Sequence, residues 1–204
     1  GRLMALETVS ISGCDWANQQ AFSQCCKTAR MMWYAATEPS DWTYLVDDDA
    51  YVFTDHLQKT LCMKYSPATS VALGEPACVA KEGFDCQGFC GGGGVGFSRQ
   101  GLRKLVEDRT LEQFIEEFML ICKSCDHWDD LSMAVLARRR GLLVEKLRGI
   151  RPFKQKPEEK LLHATDGSLP LVWHYIRGKE MVAVHHVHKM LGETLTWRCA
   201  MSDV

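Results

Sequence analysis

Three consecutive aspartates, Asp47, Asp48 and Asp49, directly follow a short apolar segment at 42–46. Adjacent ionised carboxylates repel one another, most strongly where water is scarce, and a divalent cation relieves that repulsion. Oxygen ligands suit Mg²⁺ or Mn²⁺, and these ions keep open coordination positions that a phosphate group can fill. We therefore interpret the triplet as a metal–diphosphate site, although a solvated turn or a helix N-terminus would also tolerate the charges. In an extended chain Asp47 and Asp49 would share one side.

A second acidic pair, Asp129 and Asp130, follows Trp128 at the predicted start of a helix. Capping of the helix is the commoner use of such a pair, and the residues alone favour it. A carboxylate held at a rigid helix end can also act as a general base that removes a proton from a hydroxyl. Both uses remain open at this point.

Glycines and histidines supply two weaker signals. The run from Gly91 to Gly94 lacks the spacing of a phosphate-binding loop, so it is either an open turn or a place where backbone approaches a ligand closely. Histidines occur at 185, 186 and 188 in a segment that we predict to be a strand, which would put His186 and His188 on one face and His185 on the other. Neutral imidazoles can join carboxylates around Mn²⁺, or the cluster can be an exposed polar edge.

Composition limits the classes of function. The 24 Lys and Arg residues nearly balance the 26 Asp and Glu residues, leaving a net charge of −2 and no basic surface for nucleic acid. The sequence shows neither a signal peptide nor a membrane span. Its 10 cysteines favour disulfides formed in the secretory pathway. Zinc is the alternative, with four possible ligands at Cys86, Cys90, Cys122 and Cys125.

Helices alternating with strands predict a single domain over 1–204 with a mixed, largely parallel sheet between helical layers. The predicted helices cover 19–36, 54–65, a stretch from the glycine run to 108, 111–122 and 129–140. The predicted strands cover 42–46, 70–74, 142–147, 172–176 and 181–187, the last two forming a hairpin around 177–179. We expect residues 151–170 to form a long surface loop.

Four ordered segments together resemble glycosyltransferase family 31, which contains Fringe and the core 1 β1,3-galactosyltransferases. The segments are 41–52 with its three aspartates, 93–99 followed by the helix at 102–105, 128–130 with Asp129 and Asp130, and 182–186 with its two histidines. The resemblance implies a GT-A (Rossmann-like) fold with three α/β/α layers. Only 18 residues precede the first predicted helix, so we expect the first βαβ unit of the family to be missing.

The resemblance also implies an inverting, metal-dependent transfer of galactose or N-acetylglucosamine from a UDP-sugar to a hydroxyl of a glycan or glycoprotein, usually with β1,3 linkage. It assigns Asp49, Asp47 and His185 to Mn²⁺ or Mg²⁺, Asp47 and Asp48 with Gly93 and Gly94 to donor binding, and Asp130 with Asp129 to base catalysis. Golgi residence follows, with a membrane anchor outside this chain. The alternative is a non-catalytic relative that acts as a chaperone or glycan-binding module.

Overall fold

A four-stranded mixed sheet forms the centre of the computed structural model, which describes residues 12–14, 20–79, 86–153 and 170–191. The strands of the described chain are β1 (Trp42–Leu45), β2 (Tyr51–Val52), β3 (Val71–Gly74), β4 (Cys78–Val79), β5 (Gln87–Gly88), β6 (Val95–Ser98), β7 (Leu143–Lys146), β8 (Ile150–Arg151) and β9 (Val172–Trp173). The central sheet has the order β1-β6-β3-β7, and only β6 runs against the other three strands.

Two smaller sheets extend this centre: β2, β9 and β8 form a three-stranded sheet, and β4 pairs with β5. The helices of the described chain are α1 (Gln20–Thr37), α2 (Thr54–Lys64), α3 (Arg99–Val106), α4 (Leu111–Ser124), α5 (Asp129–Arg139) and α6 (Lys179–Leu191). Among these residues, no helix combines the length and apolarity needed to cross a bilayer.

Alternating side chains of the sheet enter two different cores, which makes the fold three-layered. Ala72 packs into a core with residues of α1, α3, α4 and α5, whereas its neighbours Val71 and Leu73 pack against α2. Successive strand residues point to opposite faces, so each face of β3 needs its own helical cover. The mixed three-layer arrangement predicted from the sequence is confirmed.

Local sequence signals explain where two important helices begin and end. Thr110 and Gln113 form a complete capping box at the start of α4. Helix α5 has acidic residues in its first turn and arginines in its last, in agreement with the helix dipole, and Gly141 follows it with a φ of 66°. The charges and Gly141 thus mark both ends of α5, the helix that carries Asp129 and Asp130.

The cysteines among the described residues form disulfides rather than a zinc site. Bonds join Cys14 to Cys26, Cys25 to Cys122, Cys78 to Cys90 and Cys86 to Cys125, and Cys62 is also disulfide-bonded. The four possible zinc ligands are therefore divided among three separate disulfides. The preference for disulfides is confirmed, and the zinc alternative is wrong.

The predicted hairpin at 172–187 is correct only in its first strand. Residues 179–191 form helix α6 instead of a strand. Met181 and Val184 pack on the cluster that contains Phe53 and Trp173. They are three residues apart, which is typical of one face of a helix, and a short apolar run is compatible with a helix as well as with a strand. The predicted loop at 151–170 lies mostly outside the described residues.

Candidate active site

The three aspartates occupy a turn rather than an extended strand end. The backbone N–H of Ala50 donates to the carbonyl of Asp47 at 3.3 Å, which closes the turn. Asp49 is buried, with only 6% of its surface exposed, while Asp47 and Asp48 are exposed. The turn therefore directs one carboxylate into the protein and leaves two at the surface.

Asp47, Asp49 and His174 each offer one ligand atom, and these atoms lie within 4.8 Å of one another. His174 Nδ1 lies 2.8 Å from the carbonyl oxygen of Pro152, which can only accept, so Nδ1 carries a hydrogen. A neutral His174 then presents the lone pair of Nε2 to Asp49 Oδ1 at 2.9 Å. Two acceptors this close require a cation between them, either a proton on the ring or a metal ion.

Metal-binding histidines usually donate their second ring N–H to a carbonyl or carboxylate, as His174 does to Pro152. Two carboxylates and an imidazole are also ligands that Mn²⁺ accepts. The residues present therefore fit a divalent metal ion. Asp49, Asp47 and His174 would hold it.

Electrostatics around the triplet also favours a cation. Burial works against ionisation of Asp49, but the hydrogen bond from Arg177 and the proximity of His174 outweigh it and lower the pKa of Asp49. Burial and then the charge of Asp129 raise the pKa of Asp47, with smaller contributions from its two acidic neighbours. A positive charge at this point would relieve the repulsion that Asp47 experiences.

The glycine run makes room for the side chains of Asp130 and His174. A Cβ atom on Gly91 would lie 2.2 Å from the Cβ of Asp130, and one on Gly92 would lie 1.7 Å from Cε1 of His174. Real Cβ atoms do not come so close to other heavy atoms. Glycine is therefore required at both positions, since any side chain would displace His174 or Asp130.

Asp130 is held by two backbone donors. Its Oδ2 accepts from the N–H of Gly91 at 2.8 Å, and its Oδ1 accepts from its neighbour Leu131 at 2.7 Å. Burial raises the pKa of Asp130 to about 6; these two hydrogen bonds oppose that shift, and the charges of Asp129 and Asp47 add to it. A fixed carboxylate with a pKa close to neutral matches the requirements of a general base.

Asp129 is held by α1, where the hydroxyl of Thr28 donates to its Oδ2 at 2.6 Å. The turn before α5 places Asp126 and His127 at positive φ values of 53° and 65°. Non-glycine residues rarely adopt this conformation, so the surrounding structure must enforce it. Cys122 and Cys125, both disulfide-bonded, tie down the chain immediately before the turn.

Both acidic groups open onto one cleft of about 700 Å³. Among the described residues, six aspartates line it: Asp47, Asp48, Asp49, Asp126, Asp129 and Asp130. Arg177, Gly91 and Gly92 also line it, as do the exposed aromatic residues Trp128 and Phe153. The structure thus brings together all five aspartates that the sequence analysis assigned to chemistry.

Three predicted site residues lie elsewhere. His185 is on α6, where its Nδ1 lies 3.0 Å from the hydroxyl of Tyr51, and it is absent from the group of metal-ligand atoms. Gly93 and Gly94 are buried against Ile150, Pro152 and Tyr44 and are not among the described residues that line the cleft. His185 was assigned to the metal through the family resemblance, and the strand predicted for this segment is a helix.

Sequence reasoning missed His174 and Arg177 as site residues, and within the glycine run it selected Gly93 and Gly94 rather than Gly91 and Gly92. His174 directly follows β9, and a histidine at a strand's carboxyl end was the available signal. Its proximity to Asp49 depends on the pairing of β2 with β9, which the sequence does not reveal.

Comparison with known families gives one result. A family model described as Fringe-like matches residues 4–149, which is more than half of the chain. The chain belongs to the Fringe-like family. This is a family of GT-A glycosyltransferases, so the predicted fold and family are confirmed. The match includes Asp47–Asp49 and Asp129–Asp130 of this Fringe-like chain but ends before His174. None of the curated proteins compared with the chain matches it.

Proposed function

We propose that this Fringe-like protein is an inverting, divalent-metal-dependent glycosyltransferase that moves galactose, or N-acetylglucosamine, from a UDP-sugar to a hydroxyl of a glycan or glycoprotein, with β1,3 linkage. One observation carries the proposal: a single cleft holds the Asp47–Asp49–His174 group together with Asp130. The family supplies a sugar donor and a glycan acceptor as the expected reactants. Golgi residence as a single catalytic domain belongs to the same proposal.

The donor end of the cleft is the acidic triplet. Asp47, Asp49 and His174 would hold Mn²⁺ or Mg²⁺, which when bound neutralises the charge of the departing UDP. Asp48, exposed beside them, is placed to contact the nucleotide or the donor sugar. Gly91 and Gly92 keep this wall free of side chains, which lets a ligand approach the backbone.

The acceptor end is the start of α5. Asp130 would accept the proton of the acceptor hydroxyl while the hydroxyl oxygen bonds to the anomeric carbon. The bond from that carbon to the phosphate oxygen breaks with its electron pair, so UDP leaves and the configuration inverts. Asp129, held by Thr28, keeps the wall beside the base in place.

Trp128 is placed to receive the acceptor sugar. The residue is 58% exposed, lines the cleft and directly precedes the two aspartates. Large exposed aromatic side chains in a pocket commonly bind ligands, and a sugar ring presents an apolar face that can stack on an indole. We therefore place the acceptor over Trp128, with its hydroxyl directed at Asp130.

The test is turnover of UDP-galactose and UDP-N-acetylglucosamine with Mn²⁺ and a panel of glycan acceptors. We expect the wild-type protein to transfer one of the two sugars. Trp128→Ala should raise the acceptor KM about tenfold while the donor KM stays unchanged. Val79→Ala removes an exposed apolar side chain outside the cleft lining and serves as the control. Absence of UDP binding with Mn²⁺ present would contradict the proposal and favour a non-catalytic relative.

A further inference from the structure

The described residues that line the cleft carry a strongly unbalanced charge. Six of them are aspartates, and Arg177 is the only lysine or arginine among them. A nucleoside diphosphate brings further negative charge into this space. Binding therefore requires cations, and Arg177 is the one permanently positive side chain that the described lining offers.

Arg177 is engaged with the carboxylate that we assign to the metal. Its Nη2 and Nε lie 2.7 Å and 3.1 Å from Oδ2 of Asp49. His174 Nε2 occupies the other oxygen of Asp49 at 2.9 Å. Both oxygens of Asp49 therefore already have positively charged or polar partners, and a divalent ion must compete with Arg177 for this carboxylate.

The ion pair between Arg177 and Asp49 can separate, because its two side chains differ in exposure. The side chain of Arg177 is 77% exposed, whereas that of Asp49 is 9% exposed. Water can solvate the exposed guanidinium when it leaves Asp49, and a metal ion bound to Asp49 would replace its charge beside the buried carboxylate. Arg177 also lies on the short segment between β9 and α6, which begins at His174 and ends at Gly178, and Gly178 has a φ of 51°.

We propose that Arg177 is a diphosphate-binding residue that exchanges partners during donor binding. Without a metal ion it neutralises Asp49, and when the ion binds Asp49, Arg177 turns to the diphosphate. A planar guanidinium with a fork of donors suits two phosphate oxygens at once. This inference rests on the proposed function, since it assumes that Mn²⁺ and UDP bind in this cleft.

If Arg177 exchanges partners, its removal should change the affinities for Mn²⁺ and for UDP in opposite directions. In Arg177→Gln, isothermal titration calorimetry without nucleotide should show Mn²⁺ binding severalfold tighter than in wild type, because the competing cation is gone. With saturating Mn²⁺, the same variant should bind UDP at least about tenfold more weakly, while its affinity for uridine, which has no phosphate, stays unchanged. Arg177→Lys should weaken UDP binding less than the glutamine variant does.

Arg103→Gln is the matched control, because Arg103 is exposed on α3 and does not line the cleft. It should leave both affinities unchanged. Weaker Mn²⁺ binding in Arg177→Gln would overturn the inference, since Arg177 would then support Asp49 rather than compete for it. Unchanged UDP affinity would overturn it as well. Failure of the wild-type protein itself to bind UDP with Mn²⁺ would instead remove the proposed function on which the inference rests.

Discussion

Asp130→Asn is expected to stabilise the protein at neutral pH while it removes activity. Burial raises the pKa of Asp130 from 3.8 to about 6. A carboxyl whose folded pKa is raised contributes most to stability below its unfolded pKa and loses that contribution as the pH rises through the folded value. Between pH 3.8 and 6 the unfolded chain thus ionises Asp130 more readily than the folded protein does.

The magnitude follows from the two pKa values. A pKa of 3.8 in the unfolded chain and of about 6 in the folded protein means that ionisation of Asp130 costs folding about 3 kcal/mol at pH 7.5 and about 1 kcal/mol at pH 4.5. Asparagine avoids the charge, but its amide can no longer accept from both Gly91 and Leu131, which costs about 1–2 kcal/mol. Asp130→Asn should therefore raise the free energy of unfolding by about 1–2 kcal/mol at pH 7.5 and leave it equal or slightly lower at pH 4.5.

The assay is urea unfolding followed by tryptophan fluorescence at both pH values, together with turnover. Loss of a general base should lower kcat by at least about 10²-fold. In the wild-type protein, kcat/KM should rise with pH through an inflection at or below about 6, because a cation near Asp47 lowers the pKa of Asp130 further. Asp108→Asn, at an exposed position with a φ of 58° that asparagine tolerates, is the control.

A variant that is destabilised equally at both pH values would refute this reasoning, because the charge of Asp130 would then carry no folding penalty. Retained turnover in a folded Asp130→Asn protein would separately remove Asp130 from the role of base.

Three further predictions concern the surroundings of the site. Gly92→Ala should abolish Mn²⁺-dependent UDP binding, because a Cβ would overlap the ring of His174. Gly178→Asn, in open space at positive φ, is the control and should bind UDP as the wild-type protein does. Equal calorimetric affinities for the two variants would contradict this prediction. Thr28→Val should lower kcat about threefold to tenfold by releasing Asp129, and Thr28→Ser should restore it, so that loss in both variants would argue against the hydrogen bond. With Mn²⁺ present, UDP at 100 times its dissociation constant should raise the free energy of unfolding by about 3 kcal/mol. An unchanged melting temperature would be inconsistent with a UDP site in the folded protein.

The sequence predicted those features that depend on neighbours along the chain. The capping box at Thr110, which begins α4, and the acidic first turn of α5 follow local rules of helix formation, so the helix that carries Asp130 was identified correctly. The mixed sheet was inferred from the alternation of helices and strands along the chain. For the acidic residues, local pattern and final position agree.

The residues that the sequence missed depend on distant pairing. His174 reaches Asp49 because β9 pairs with β2, and Gly92 is constrained by the ring of His174 rather than by its own neighbours. The run around His185 contains apolar residues that suit either a strand or a helix. Only packing against Tyr51 and Phe53 selects the helix, and that packing directs His185 away from the acidic triplet.

The most direct test of the account asks which histidine binds the metal. Electron spin-echo spectroscopy of Mn²⁺-loaded protein labelled with ¹⁵N-histidine detects an imidazole nitrogen bound to the ion. We predict one such nitrogen, which is lost in His174→Ala and retained in His185→Ala. A coupling that survives in His174→Ala, or that disappears in His185→Ala, would contradict it.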